Sequence, residues 1–165
     1  MKTLIILRHG KSSWDDHRLR DFDRPLKNKG RRRTQLIADY LKQHNLMPQL
    51  IVSSPAVRAI DTARVAANGL GYDLSEIKQN ELLYFVDTEK YFESLYAAPD
   101  SIDTLMIVGH NPMITDFCNS FLEHPVDNIP TSGMCVVSFD KDKWHDVHSA
   151  QPQLLHLVFP KKLEL

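Results

Sequence analysis

Lys2-Thr3-Leu4-Ile5-Ile6-Leu7 leads straight into Arg8-His9-Gly10. So short and unbroken a run of leucine and isoleucine predicts a strand buried on both faces, as found inside a parallel sheet covered by helices. It stops at a cation, an imidazole and a glycine. In open α/β sheets ligands bind beyond the carboxyl ends of the strands, so these residues stand where a site is expected. Arg8 offers a planar fork of donors suited to phosphate or carboxylate. His9 can act as base, nucleophile or metal ligand near neutral pH. Gly10 permits a sharp turn or a close ligand approach. A lone tripeptide of this kind can equally be a polar strand end, and two later segments decide between the readings.

Leu50-Ile51-Val52 is a second short apolar run, and Ser53-Ser54-Pro55 after it predicts a serine N-cap with proline at the first helical position. Ala56, Ile60, Ala63, Ala67 and Leu70 form the inward stripe of that helix, which Gly69 and Gly71 end. Arg58 lies off the stripe in the first turn, where the helix dipole disfavours a cation unless an anion is near. That anion is either a ligand or a carboxylate reaching across a loop. Thr104-Leu105-Met106-Ile107-Val108 is the third strand and ends in Gly109-His110-Asn111-Pro112. Asn111 is the expected N-cap, Pro112 the first helical residue, and Ile114, Phe117, Cys118, Phe121 and Leu122 the buried stripe.

Between these segments the pattern predicts a helix from Asn28 to about His44, with Leu36, Ile37, Tyr40 and Leu41 inward. It also predicts a short strand within Glu76–Asn80, a helix over Thr88–Ala97, and strands at Met134–Phe139 and Leu154–Phe159. Strand alternating with helix predicts an α/β fold, a three-layer α/β/α sandwich on a mostly parallel sheet, formed by one domain over 1–165. The loop from Lys11 to Asp23 is longer than a simple connector needs to be.

Hydrophobic residues make up 42% of the 165 and charged residues 25%, as in ordinary globular proteins. The 20 Lys+Arg and 21 Asp+Glu leave no global field that would draw nucleic acid or a membrane. The six cations in residues 24 to 33 are the one local exception, and they read as a solvated helix face. Met1-Lys2 enters the first strand directly, so no export signal or membrane span is expected, and the cytoplasm is the expected location. Cys118 and Cys135 lack metal-site spacing and are expected as buried thiols.

Parallel strands bring Arg8-His9, Ser54 to Arg58, and Gly109-His110 to one sheet edge. Two arginines and two histidines then converge, and the natural guest is a tetrahedral dianion such as phosphate. The nearby arginines keep His9 neutral and nucleophilic. No P-loop, Gly-x-Ser-x-Gly elbow or His-Glu-x-x-His occurs. His145, His148 and His156 flank the expected edge strand and read as surface residues, so no metal or cofactor is expected.

Leu7-Arg8-His9-Gly10, Ser53-Ser54-Pro55-Ala56-Val57-Arg58-Ala59 and Val108-Gly109-His110-Asn111-Pro112 resemble the three signatures of the phosphoglycerate mutase-like histidine phosphatase superfamily. The Lys11-Ser12-Ser13-Trp14 loop and Asp23-Arg24-Pro25-Leu26 resemble its SixA-like phosphohistidine phosphatases. The resemblance implies a metal-independent phosphatase in which His9 accepts the phosphoryl group while Arg8, Arg58 and His110 hold its oxygens. It further implies Arg24 as an added phosphate or substrate contact and Glu81 as proton donor, since Asn111 stands where the other arrangement has Asp. The implied partner is a protein carrying phosphohistidine; the alternative is phosphatase or mutase action on a small phosphorylated metabolite at the same site. A non-catalytic phosphoprotein-binding module is the rival of a different class.

Overall fold

The computed structural model describes residues 1–164. Six strands form one sheet: β1 (Lys2–Arg8), β2 (Leu50–Ser53), β3 (Lys78–Gln79), β4 (Thr104–Gly109), β5 (Met134–Phe139) and β6 (Gln153–Val158). Their order is β3-β2-β4-β1-β5-β6. The first four run parallel, while β5 is antiparallel to β1 and β6 to β5. Helices α1 (Asn28–Gln43), α2 (Val57–Leu70), α3 (Thr88–Tyr96) and α4 (Met113–Asn119) complete the layers.

The three-layer arrangement follows from the two-residue period of a strand. Leu4 and Ile6 of β1 join Leu105 and Ile107 of β4, Cys135 and Val137 of β5, and the α3 and α4 side chains Leu95, Phe117 and Cys118. Ile5, Leu7, Met106, Val108, Met134 and Val136 face the other way, onto Ile37 and Leu41 of α1 and Ala59, Ala63 and Ala67 of α2. Every residue of the Leu4–Leu7 run is therefore buried, as its composition requires. Both cysteines are buried free thiols.

Three local expectations shift. Helix α2 starts at Val57 rather than at Pro55, and Ala56 caps it with no side-chain bond. The Ser54 hydroxyl does accept the Ala56 N–H at 3.3 Å, but its principal contact is to His110. Helix α4 stops at Asn119, so Phe121 and Leu122 pack on the core from beyond its end. Asn111 accepts from Thr115 N at 3.1 Å, doing the capping work expected of it from just outside the helix. The basic run also resolves: Arg31 reaches Asp61, Arg33 reaches Glu164, and Arg24 alone of the run's cations is buried.

Candidate active site

The register sets the three strand ends level. Arg8 pairs with Gly109 across β1 and β4, and Ser53 with Val108 across β2 and β4. Two bonds extend the ladder past the strands, His9 N to Gly109 O and Ser54 N to Val108 O, both 3.0 Å. Arg8, His9, Arg58 and His110 thereby reach one pocket of about 460 Å³, lined also by Lys11, Ser12, Trp14, Asp15, Arg24 and Lys27. The His9 and His110 ring centres are 5.1 Å apart.

The His9 ring is oriented by its own backbone. Nδ1 lies 2.7 Å from the Gly10 carbonyl oxygen. A carbonyl can only accept, so Nδ1 carries the proton and Nε2 keeps the lone pair. Gly10 is itself anchored, its N–H donating to Thr62 Oγ1 at 2.8 Å, and that hydroxyl donates to Arg58 O at 2.7 Å. One threonine of α2 thus ties the histidine loop to the backbone of Arg58. His110 is held by Ser54 Oγ, 2.7 Å from its Nε2. Its backbone N–H donates to Tyr91 Oη at 3.0 Å, and Tyr91 donates onward to Leu83 O at 2.8 Å. Gly109 is required for this: a Cβ there would collide with the Tyr91 hydroxyl and ring.

Burial, reinforced by the cations of Arg58, Arg8 and Arg24, pushes the His9 imidazole down to about 3. Burial, then His9 and Arg58, does the same to His110, also to about 3. Both rings are neutral in the folded chain where an unfolded histidine, titrating near 6.5, is charged. Between about pH 3 and 6.5 the unfolded chain binds more protons, so stability rises with pH there and is lost as pH falls. The expected slope is at most about 1.4 kcal/mol per pH unit for each histidine. Melting temperatures from pH 7 to 4 should fall steadily, and the fall should be shallower in His9→Gln. An equal slope in the two proteins would contradict the neutral, buried state of His9.

Arg58 serves two purposes. As one of the two sequence alternatives required, it pairs with a carboxylate across a loop: Nη2 is 3.0 Å from Asp21 Oδ2 and Nη1 2.8 Å from Asp21 O. It also lines the pocket. Asp21 further accepts from Arg24 Nε at 3.2 Å and Tyr84 Oη at 2.9 Å. Partial burial pushes the Asp21 carboxyl up, but Tyr84, Arg58 and Arg24 together outweigh it and hold the group below its ordinary range. Tyr84 adds an edge contact to His110, ring centres 5.6 Å apart. Arg24 Nη1 donates to Ser12 Oγ at 2.9 Å.

Arg8, His9, Arg24, Arg58 and His110 therefore come together as the sequence suggests, and Glu81 does not. It opens the 3-10 turn Glu81–Tyr84, exposed to solvent and outside the residues that line the pocket. The same turn contributes Tyr84, which carries no signal in the sequence, as Asp21 and Thr62 carry none; Ser54, expected at this edge as a helix cap, instead holds His110. Among the described residues, the buried side-chain polar atoms without a partner are Arg8 Nε, Arg58 Nε and His110 Nδ1, all three on pocket-lining residues. Buried donors are almost always satisfied. With the Ser54 hydroxyl donating to His110 Nε2, the neutral ring carries its proton on Nδ1, and three orphaned donors around one cavity then fit an oxyanion with several acceptor oxygens.

Fold and pocket together define an α/β protein with two neutral histidines and an arginine pair gathered at the carboxyl ends of its parallel strands. Residues 4–84 match the model of the histidine phosphatase superfamily, branch 1, and the chain belongs to that superfamily. A crystal structure of a protein described as a SixA phosphohistidine phosphatase, from Agrobacterium tumefaciens, is 28% identical. It superposes with a TM-score of 0.79 over 95% of this chain and 97% of that one. An uncharacterised chloroplastic protein of Arabidopsis thaliana is 35% identical over 119 residues, 67% of this chain and 54% of that protein. A 2,3-bisphosphoglycerate-dependent phosphoglycerate mutase of Cutibacterium acnes is 43% identical over 68 residues, 40% of this chain and 27% of the mutase. The chain thus spans about half the length of one of these two relatives and about a quarter of the other.

Proposed function

We propose that this chain is a phosphatase that removes the phosphoryl group from phosphohistidine on proteins, through a covalent phosphohistidine on His9. The observation that carries the reading is the pairing of a lone pair with orphaned donors. His9 Nε2 is free to attack because Nδ1 is committed to Gly10 O, while Arg8 Nε, Arg58 Nε and His110 Nδ1 have no protein partner.

In the first step the Nε2–P bond forms as the substrate's P–N bond breaks, and the bonding pair stays on the leaving imidazole nitrogen. That ring leaves as neutral imidazole once its far nitrogen is protonated, which solvent supplies near its pKa of about 6.5. In the second step water attacks phosphorus, Nε2 regains its pair, and inorganic phosphate departs. Arg8, Arg58 and His110 stabilise charge on the equatorial oxygens in both steps, the electrostatic positioning that dominates phosphoryl transfer. Since guanidinium groups supply that charge, activity is expected to persist in EDTA.

The exposed setting of the pocket supports a protein substrate. Phe85 and Val86, both exposed, follow Tyr84 directly, and Trp14 stands exposed at the mouth. The test is a comparison of a phosphohistidine-bearing phosphocarrier protein with a panel of sugar and nucleotide phosphates, all in EDTA. The highest kcat/KM is expected for the phosphoprotein, and a sugar or nucleotide phosphate ranking first overturns the reading.

The position of Glu81 yields its own prediction. An alkoxide leaving group needs a proton as the bond breaks, and general acid catalysis is worth about 10²–10⁴-fold. An acid must reach the leaving atom, and Glu81 stands outside the pocket. Asp21, already ion-paired, is held deprotonated. Glu81→Gln is therefore expected to change kcat/KM by less than about tenfold, well short of an acid's contribution, on phosphohistidine and alkyl phosphates alike. Severe loss on alkyl phosphates alone would return Glu81 to the mechanism.

A further inference from the structure

Trp14 is 67% exposed, yet it lines the pocket that holds His9. One face of its ring rests on the Arg24 guanidinium, whose carbon is 3.4 Å from the ring centre. Arg24 is buried and fixed in turn by Ser12 Oγ at 2.9 Å and Asp21 Oδ1 at 3.2 Å. The backbone beneath the ring is stitched as well. Ser13 N donates to Pro25 O at 2.9 Å, Asp15 N donates to Ser13 Oγ at 3.0 Å, and Ser12 bridges to Leu26. The result is a large aromatic plane stacked on Arg24, carried on a hydrogen-bonded backbone and still largely exposed to water.

Such a plane at the rim of an anion pocket suits one kind of neighbour. Tryptophan loses little entropy when it is covered and gives much contact area, which is why it anchors binding surfaces. A phosphoryl group seated against Arg8, Arg58 and His110 places whatever it is attached to at the mouth, where Trp14 stands. We propose that Trp14 determines specificity by stacking on a planar ring in the leaving group. Resting on the phosphatase reading above, this makes the ring the imidazole of phosphohistidine or the aryl group of a small phosphate ester, two sources of one chemistry.

The matched probes are phosphoimidazole and phosphoramidate. Each is cleaved at a P–N bond, with the pair left on nitrogen and the phosphoryl group taken by His9, but only the first carries a ring. The readout is the ratio of their kcat/KM values in wild type, Trp14→Leu and Trp14→Phe, with vanadate inhibition measured in each. Stacking on an aromatic side chain predicts a fall of about tenfold or more in that ratio for Trp14→Leu, largely restored in Trp14→Phe. A companion arm uses an N-phosphohistidyl peptide and phenyl phosphate. A loss confined to the peptide assigns the ring to histidine, and a loss on both extends the platform to aryl esters; either supports the proposal. If phosphoimidazole, phosphoramidate and vanadate all weaken together, Trp14 only props Arg24 and the proposal fails. An unchanged ratio overturns it too. Wild type inactive on both probes overturns the phosphatase reading, and this inference with it.

Discussion

His9→Ala should abolish turnover, lowering kcat by about 10³-fold or more, while vanadate or phosphate still binds with reduced affinity. Removing a covalent nucleophile leaves only the catalysis its surroundings supply, and losses of that order or beyond are usual. The oxyanion donors proposed for the pocket belong to other residues, Arg8, Arg58 and His110, each with an unpartnered buried polar atom, so binding and chemistry should come apart in this variant. During turnover the wild type should carry an acid-labile, base-stable phosphoryl label on His9, and His9→Ala should carry none. Robust turnover by His9→Ala would remove the nucleophile assignment. A protein that binds the anion but never becomes labelled would instead be a phosphoprotein-binding module.

Arg58→Ala is expected to produce the next largest loss, about 10²–10³-fold in kcat/KM, the range seen when one preorganised oxyanion donor is removed. Arg58→Lys should rescue little. A lysine is a point charge without the planar fork, and so cannot bond both the Asp21 carboxylate and the Asp21 carbonyl, as Arg58 does, while also facing the pocket. Asp21→Asn offers the contrast. It keeps the carbonyl contact and weakens only the charged one, so its loss should be smaller than that of Arg58→Ala and fall more on KM than on kcat. Equal losses in Arg58→Ala and Asp21→Asn would mean that Arg58 acts as an anchor for the loop rather than as an oxyanion donor.

The parts of this molecule that were legible in its sequence are those written in local pattern. Leu4–Leu7, Ile51–Val52 and Leu105–Val108 are apolar on both faces, and helices on both sides of the sheet bury them. Because they are parallel neighbours in register, their polar ends meet, and Arg8, His9, Arg58 and His110 follow. What stayed hidden depends on contacts between residues far apart in the chain. Asp21 lies 37 residues from Arg58 and Tyr84 lies 63 from Asp21, and an irregular loop carries no periodicity to announce such partners. Ser54 was misread for a related reason. Its position suits a helix cap, and nothing local reveals that an imidazole 56 residues away claims its hydroxyl. Glu81 shows the converse: the turn it opens does reach the site, but through Tyr84, three positions on.

The contact between Tyr91 and His110 restricts how this site can evolve. Position 109 must remain without a side chain as long as position 91 carries a phenol. Position 91 cannot lose its hydroxyl without stranding both the N–H of His110 and the carbonyl of Leu83 in the interior. Burial makes that phenol a weaker acid than an ordinary tyrosine, so it stays protonated and keeps donating near neutral pH. The brace therefore does not titrate with the histidine it supports. Among descendants of this chain, Gly109 and Tyr91 should drift as a unit or stand still together, giving covariation at two sites that stand behind the pocket rather than among the residues that line it.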